Sequence, residues 1–292
     1  MDRTDDGRTG RPGLRAALLV AVLAAAVGLG GCGGPAPPEV PMEMPSIVAS
    51  PPEDGPEPAD PDAPGAWERV ASVEPAGRLF VVAPEGAPAG GIVLVHGAWG
   101  LNRHARDLAR ELAAAGFAVA APDLFDGLEL TTRLAHADAL AAVVPERAEA
   151  LLAAAADRLA AIEEIDGSPL GMVSLSGGAP WAFRFAESSG RIVALVVDSA
   201  VLGEGVVPSR AVTFRTLLVV GEADRSLDRA RLEAIAQAFA AVDAPFEVAR
   251  IPGAGTDLFD PRAFGYSEVA RPLALERAVR FLRGNLAGAR GE

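Results

Sequence analysis

From Trp67 onward, short unbroken apolar runs alternate with stretches whose apolar residues recur at helical spacing. "RLFVVA" (78–83), "GIVLVHG" (91–97), "FAVAAPDLF" (117–125), "PLGMVSL" (169–175), "RIVALVVDSA" (191–200), "RTLLVVGEAD" (215–224) and "FEVARIPGAG" (246–255) read as strands. "HARDLARELAAAG" (104–116) reads as a helix closed by Gly116, and an Ala/Leu/Arg/Glu helix is expected near 143–164. Further helices are expected near 178–188, 228–241 and 268–286. Strands that are apolar on both faces and alternate with helices predict an α/β fold, a mostly parallel sheet with helices on both sides. Ligands of such sheets bind beyond the carboxyl ends of the strands. The informative loops are therefore those after Val95, Leu175, Val220 and Ile251.

The first 66 residues do not fit this pattern. Arg3, Arg8, Arg11 and Arg15 precede the apolar run "LRAALLVAVLAAAVGLGG" (14–31), which reads as an export signal and is short for a membrane span of about 20 residues. It ends in "LGGC", whose small residues before Cys32 resemble a bacterial lipobox, so that residues 1–31 would be removed and Cys32 lipidated. Cys32 is the single cysteine, and an internal disulfide is excluded. Residues 32–66, rich in proline and acids, have no means of burying a core and read as an extended tether. The expected division is signal 1–31, tether 32–66 and one α/β domain over 67–292. This places the domain outside the cytoplasm, on a membrane through the lipid on Cys32. The formal net charge of −13 argues against a nucleic-acid partner.

Three loops carry candidate chemistry. "SLSGGAP" (174–180), between a strand and a helix, is a near match to the Gly-x-Ser-x-Gly nucleophile elbow, with Ser174 replacing the first glycine by another small residue. Ser176 is then the nucleophile and the Gly177 N–H an oxyanion donor. "VHGAWG" (95–100) would supply the second donor, from Ala98 or Gly97, with His96 propping the loop and Trp99 lining or flanking the pocket. "GEADRS" (221–226) places Asp224 where an acid orients a catalytic base, with Glu222 as the lesser alternative. No metal cluster and no cofactor motif is evident.

Taken in order, "GIVLVHGAWGLNRHARDLARELAAAGFAVAAPDLF" and "PGAGTDLFD…GYSEVARPLALERAVRFL" resemble the dienelactone hydrolase family of α/β-hydrolases over nearly all of 67–286. The resemblance implies cofactor-free hydrolysis of esters or lactones by a Ser or Cys nucleophile, an Asp and a His. It assigns Ser176, Asp224, Gly177 and Ala98. The family's Pro-Gly-Ala-Gly-His segment here ends in Thr256, and only His96, His104 and His136 exist. The glutamate of the name-giving enzymes' oxyanion loop is replaced by Gly97, and the arginine that helps hold their anionic substrate by Asp260.

Threonine cannot take a proton from serine near neutral pH. The expectations are therefore a small ester or lactone as substrate with impaired turnover, or a disarmed domain that binds an envelope ligand or partner, or one that serves as a spacer. His136, before the long helix, and Asp257 are candidate substitute bases. His104 is expected to cap or pack its helix.

Overall fold

The computed structural model describes residues 63–198, 210–263 and 265–288. The expected signal, Cys32 and all but the last residues of the tether lie outside the described residues. In chain order the elements are β1 (Ala66–Val70), β2 (Gly77–Val82), β3 (Gly91–Val95), α1 (Arg103–Ala114), β4 (Ala118–Pro122), α2 (His136–Ala142), α3 (Pro145–Ala160), β5 (Leu170–Leu175), α4 (Ala179–Ser189), β6 (Ile192–Asp198), β7 (Arg215–Gly221), α5 (Arg229–Ala241), β8 (Phe246–Ile251) and α6 (Arg271–Gly288). None of the described helices is long and apolar enough to cross a membrane.

The described strands form an eight-stranded sheet in the order β1-β2-β4-β3-β5-β6-β7-β8. Pairing is antiparallel between β1 and β2 and between β2 and β4, and parallel from β4 through β8. Alternation along the strands divides the interior in two. Val93 and Val95 of β3 face a core built with α3, α4 and α5, through Leu151, Phe183 and Phe239. Ile92 and Leu94 face a second core built with α1 and α6, through Leu108, Leu112 and Leu282.

The helices start and stop for local reasons. Asn102 caps α1, its side chain accepting from Ala105 N at 3.0 Å. Asp228 caps α5 in the same way. The helix expected near 143–164 begins at Pro145, whose missing N–H costs nothing in a first turn, and ends at Ala160. The strand Ala66–Val70 was not expected, because its polar, exposed residues carry no β pattern. It is held as an edge by full pairing with β2 and by Trp67, whose ring lies 4.1 Å under the Arg78 guanidinium and edge-on to Phe80.

The topology sets where a site can form. The chain steps from β3 outward to β4, then returns past β3 to β5. The loops leaving β3 and β5 therefore diverge, and a crevice opens above their carboxyl ends. Both the "VHGAWG" and the "SLSGGAP" loops lie at that switch point.

Candidate active site

β5 ends at Leu175 and α4 begins at Ala179, so the turn between them is very tight. Ser176 has φ +28°, a backbone conformation that costs a non-glycine residue on the order of 1–3 kcal/mol. The crowding explains the sequence around it. A Cβ on Gly178 would lie 2.4 Å from the His96 carbonyl oxygen and 3.0 Å from Val95 Cγ1, so only glycine fits. Ser174 is fully buried and its Oγ has no hydrogen-bond partner among the described residues, so it serves there as a small residue.

The loop after β3 is braced by His96. Leu124 N donates to Nε2 at 3.0 Å, which makes Nε2 an acceptor and leaves Nδ1–H to donate to the Gly97 carbonyl at 2.8 Å. Burial pushes the imidazole pKa down, and both nitrogens are committed with the ring neutral. His96 thus props the loop, as expected from the sequence. The loop brings Ala98 against the elbow: a side chain on Gly177 would meet Ala98 N at 3.3 Å. It would also meet Leu140 Cδ1 at 3.1 Å, so α2 lies over the elbow. One turn earlier on α2, the His136 ring packs edge-on against Trp99 with centroids 4.0 Å apart.

The third part is the pairing of the loop after β7 with the loop after β8. Glu222 N donates to Ile251 O, and Ala223 N to Ala254 O at 2.9 Å. A Cβ on Gly221 would lie 2.2 Å from Gly255 O and 2.3 Å from Ala254 O. Gly221→Ala is expected to force these loops apart and to lower stability by roughly 1–3 kcal/mol, checked by chemical denaturation. Asp224 is buried, and its Oδ1 accepts from Ser226 N at 2.8 Å and Ser226 Oγ at 2.6 Å. Its buried Oδ2 has no hydrogen-bond partner among the described residues. Thr256 follows directly on the segment sewn to the Asp224 loop, and Asp257 adopts φ +48°.

A small cleft behind the elbow is lined by Ser176, Gly97, Asp198, Asp257, Asp260 and His104, among others. Its free volume, about 20 Å³, suits one water. Neither Asp224 nor Thr256 is among its lining residues, whereas Asp257 is. The titratable lining residues His104, Asp198 and Asp260 were not among the site residues expected from the sequence. Asp198, 1% exposed, ends β6 and accepts from Leu258 N at 3.2 Å. The signal was a carboxylate terminating an otherwise apolar strand. Asp260 is clamped by Arg262 through Nε at 3.0 Å and Nη2 at 2.8 Å, with Asn102 Nδ2 at 3.3 Å. That pairing holds its carboxyl below the usual carboxylate range despite burial. Arg262 also donates to Leu130 O and lies 4.3 Å over Trp99, so its charge is spent inside the wall. The cap of α1 is Asn102 and not His104, which is half-buried and lines the cleft.

This arrangement is that of an α/β-hydrolase: a strained serine elbow at the switch point, a braced loop beside it and an acid after β7. The profile of the dienelactone hydrolase family matches residues 78–286 of the 292, and the chain belongs to that family. Among solved structures, a dienelactone hydrolase-like promiscuous phosphotriesterase from metagenomic libraries has a TM-score of 0.61 at 22% identity, covering 77% of this chain and 99% of its own. A putative dienelactone hydrolase from Klebsiella pneumoniae gives 0.59 at 20% identity, covering 75% and 99%. Esterase 2 of Thermogutta terrifontis, solved phosphorylated by paraoxon, gives 0.56 at 18% identity, covering 75% and 93%. At these identities the likeness is one of fold. No curated protein matches the chain.

Proposed function

We propose that the protein is an exported, lipid-anchored serine hydrolase that cleaves small uncharged esters or lactones slowly, with Ser176 as nucleophile and no histidine at the family's base position. The observation that carries this reading is the backbone of Ser176, kept in a strained left-handed conformation at the elbow with Ala98 N beside Gly177. A fold retained only as a scaffold has no use for that strain.

In the proposed reaction Ser176 Oγ adds to the carbonyl carbon, and the oxyanion is held by the Gly177 and Ala98 N–H groups. The alcohol leaves with a proton, and water then cleaves the acyl-serine. Asp198, Asp257 and Asp260 line the cleft and Arg262 beside it is paired with Asp260, so an anionic substrate is disfavoured. The leader and "LGGC" of the sequence support attachment to the envelope through Cys32.

Thr256 in the family's histidine position favours a second reading, a disarmed domain that binds an envelope ligand. Paraoxon separates the two, because the esterase neighbour is known in its phosphorylated form. The expected outcome is a stoichiometric release of nitrophenolate, one phosphoryl group on Ser176, and none on Ser176→Ala. No label on the intact chain after hours at millimolar reagent would reject the hydrolase reading.

A further inference from the structure

We propose that His104, in the first turn of α1, is the general base that serves Ser176, acting through one water in the cleft they share. This rests on Ser176 being the nucleophile. Three observations meet at His104. It lines the same cleft as Ser176, although 72 positions separate them in the sequence. Its ring nitrogens make no hydrogen bond to another described residue, unlike those of His96, so neither is already committed. The cleft's free volume, about 20 Å³, has room for one water, and a base can act through one water.

The electrostatics suit a base. Partial burial is the largest influence on His104 and lowers its pKa, keeping the ring neutral and able to accept at pH 7. Its position at the positive end of α1 acts in the same direction. Asp260 pulls the other way, Arg262 lowers, and on its own helix Asp107 raises while Arg103 lowers. Asp198 and Asp257 face the same space from β6 and from the loop after β8. The imidazolium formed during reaction is therefore met by carboxylates, of which Asp260 is fixed by Arg262 and Asn102. Asp260 is a positioning residue in this scheme.

The proton balance is closed. As Oγ bonds to the carbonyl carbon, its proton passes to the water and a proton of that water passes to a His104 ring nitrogen. The imidazolium returns it through the same route to the departing alkoxide. Hydrolysis of the acyl-serine repeats the sequence with water as nucleophile and Ser176 Oγ as leaving group.

The test is the rate of fluorophosphonate labelling of Ser176 and of ester turnover, measured from pH 4.5 to 9 in the full chain and in His104→Gln. The unsubstituted chain is expected to lose activity through one acid limb below about pH 6.5. His104→Gln is expected to fall by roughly 10²–10⁴-fold and to lose that limb. Imidazole added to His104→Ala is expected to restore part of the rate, which a packing role would not allow. Should both variants misfold in thermal melts, the limb in the unsubstituted chain and its fate in His136→Gln decide. Persistence of the limb in His136→Gln supports His104, and its loss there assigns the base to His136 and overturns the proposal. Labelling that His104→Gln leaves within threefold, limb intact, overturns this proposal alone. Absence of labelling at every pH overturns it together with the hydrolase reading.

Discussion

Thr256→His is expected to raise ester turnover by roughly 10²-fold or more, the scale of a well-placed general base. The segment leading to residue 256 is already held against the loop of the candidate acid. The two hydrogen bonds from Glu222 N and Ala223 N tie the segment leading to it onto the loop that carries Asp224. Asp224 spends Oδ1 on Ser226 and keeps Oδ2 buried and without a hydrogen-bond partner among the described residues. A buried acceptor left in that state costs about 1–3 kcal/mol, so a ring N–H delivered to it stabilises the fold as well as the reaction. A direct Ser-His contact also outperforms a relay through water from the far side of the cleft. Initial rates on a short-chain nitrophenyl ester, with Ser176→Ala as blank, provide the measurement. A gain below threefold in a folded variant would mean that residue 256 does not sit where the family's base sits.

The elements that position this site were legible because each follows from local rules. The apolar runs at 91–95, 170–175 and 215–221 are buried on both faces and are strands for that reason. The elbow was legible because tight strand-to-helix turns demand small residues, and Gly178 shows the constraint: a Cβ there would lie 2.4 Å from the His96 carbonyl oxygen. β1 was not legible: its sequence is polar, and its stability comes from pairing with β2 and from the Arg78–Trp67–Phe80 stack.

The cleft was not legible either, for a different reason. His104, Asp198 and Asp260 belong to α1, β6 and the loop after β8, and nothing local tells which way their side chains turn. His104 sits two residues after a good N-cap, where a packing or capping role is the ordinary outcome. The cleft it lines is walled by residues 257–260, beside which Arg262 lies over Trp99 and donates to Leu130 O, 132 residues away. The departure of the sequence from its family at Asp260 acquires a reason in the same way. The carboxylate there neutralises Arg262 and joins it to the cap of α1 through Asn102, so the position is built into the wall of the cleft.

Asp224→Asn placed in the Thr256→His chain is expected to return the rate to that of the unsubstituted protein, erasing a gain worth at least about 2.7 kcal/mol. The change is nearly isosteric and keeps an oxygen for the two Ser226 donors. What it removes is the acceptor for a histidine N–H, and the amide left in its place favours the wrong tautomer of the ring. In a serine protease triad that substitution lowers kcat by about 10⁴, more than the gain it has to cancel. In the unsubstituted chain the same change acts on a carboxylate that is absent from the cleft shared by Ser176 and His104, and its effect there is expected to be less than about tenfold. The double-mutant cycle measures the difference directly. Strong coupling means that Asp224 and residue 256 are the acid and base seats of one triad, of which the acid is still in place. Additive effects would mean that the loops after β7 and β8, though hydrogen-bonded to each other, do not present those two side chains to one another.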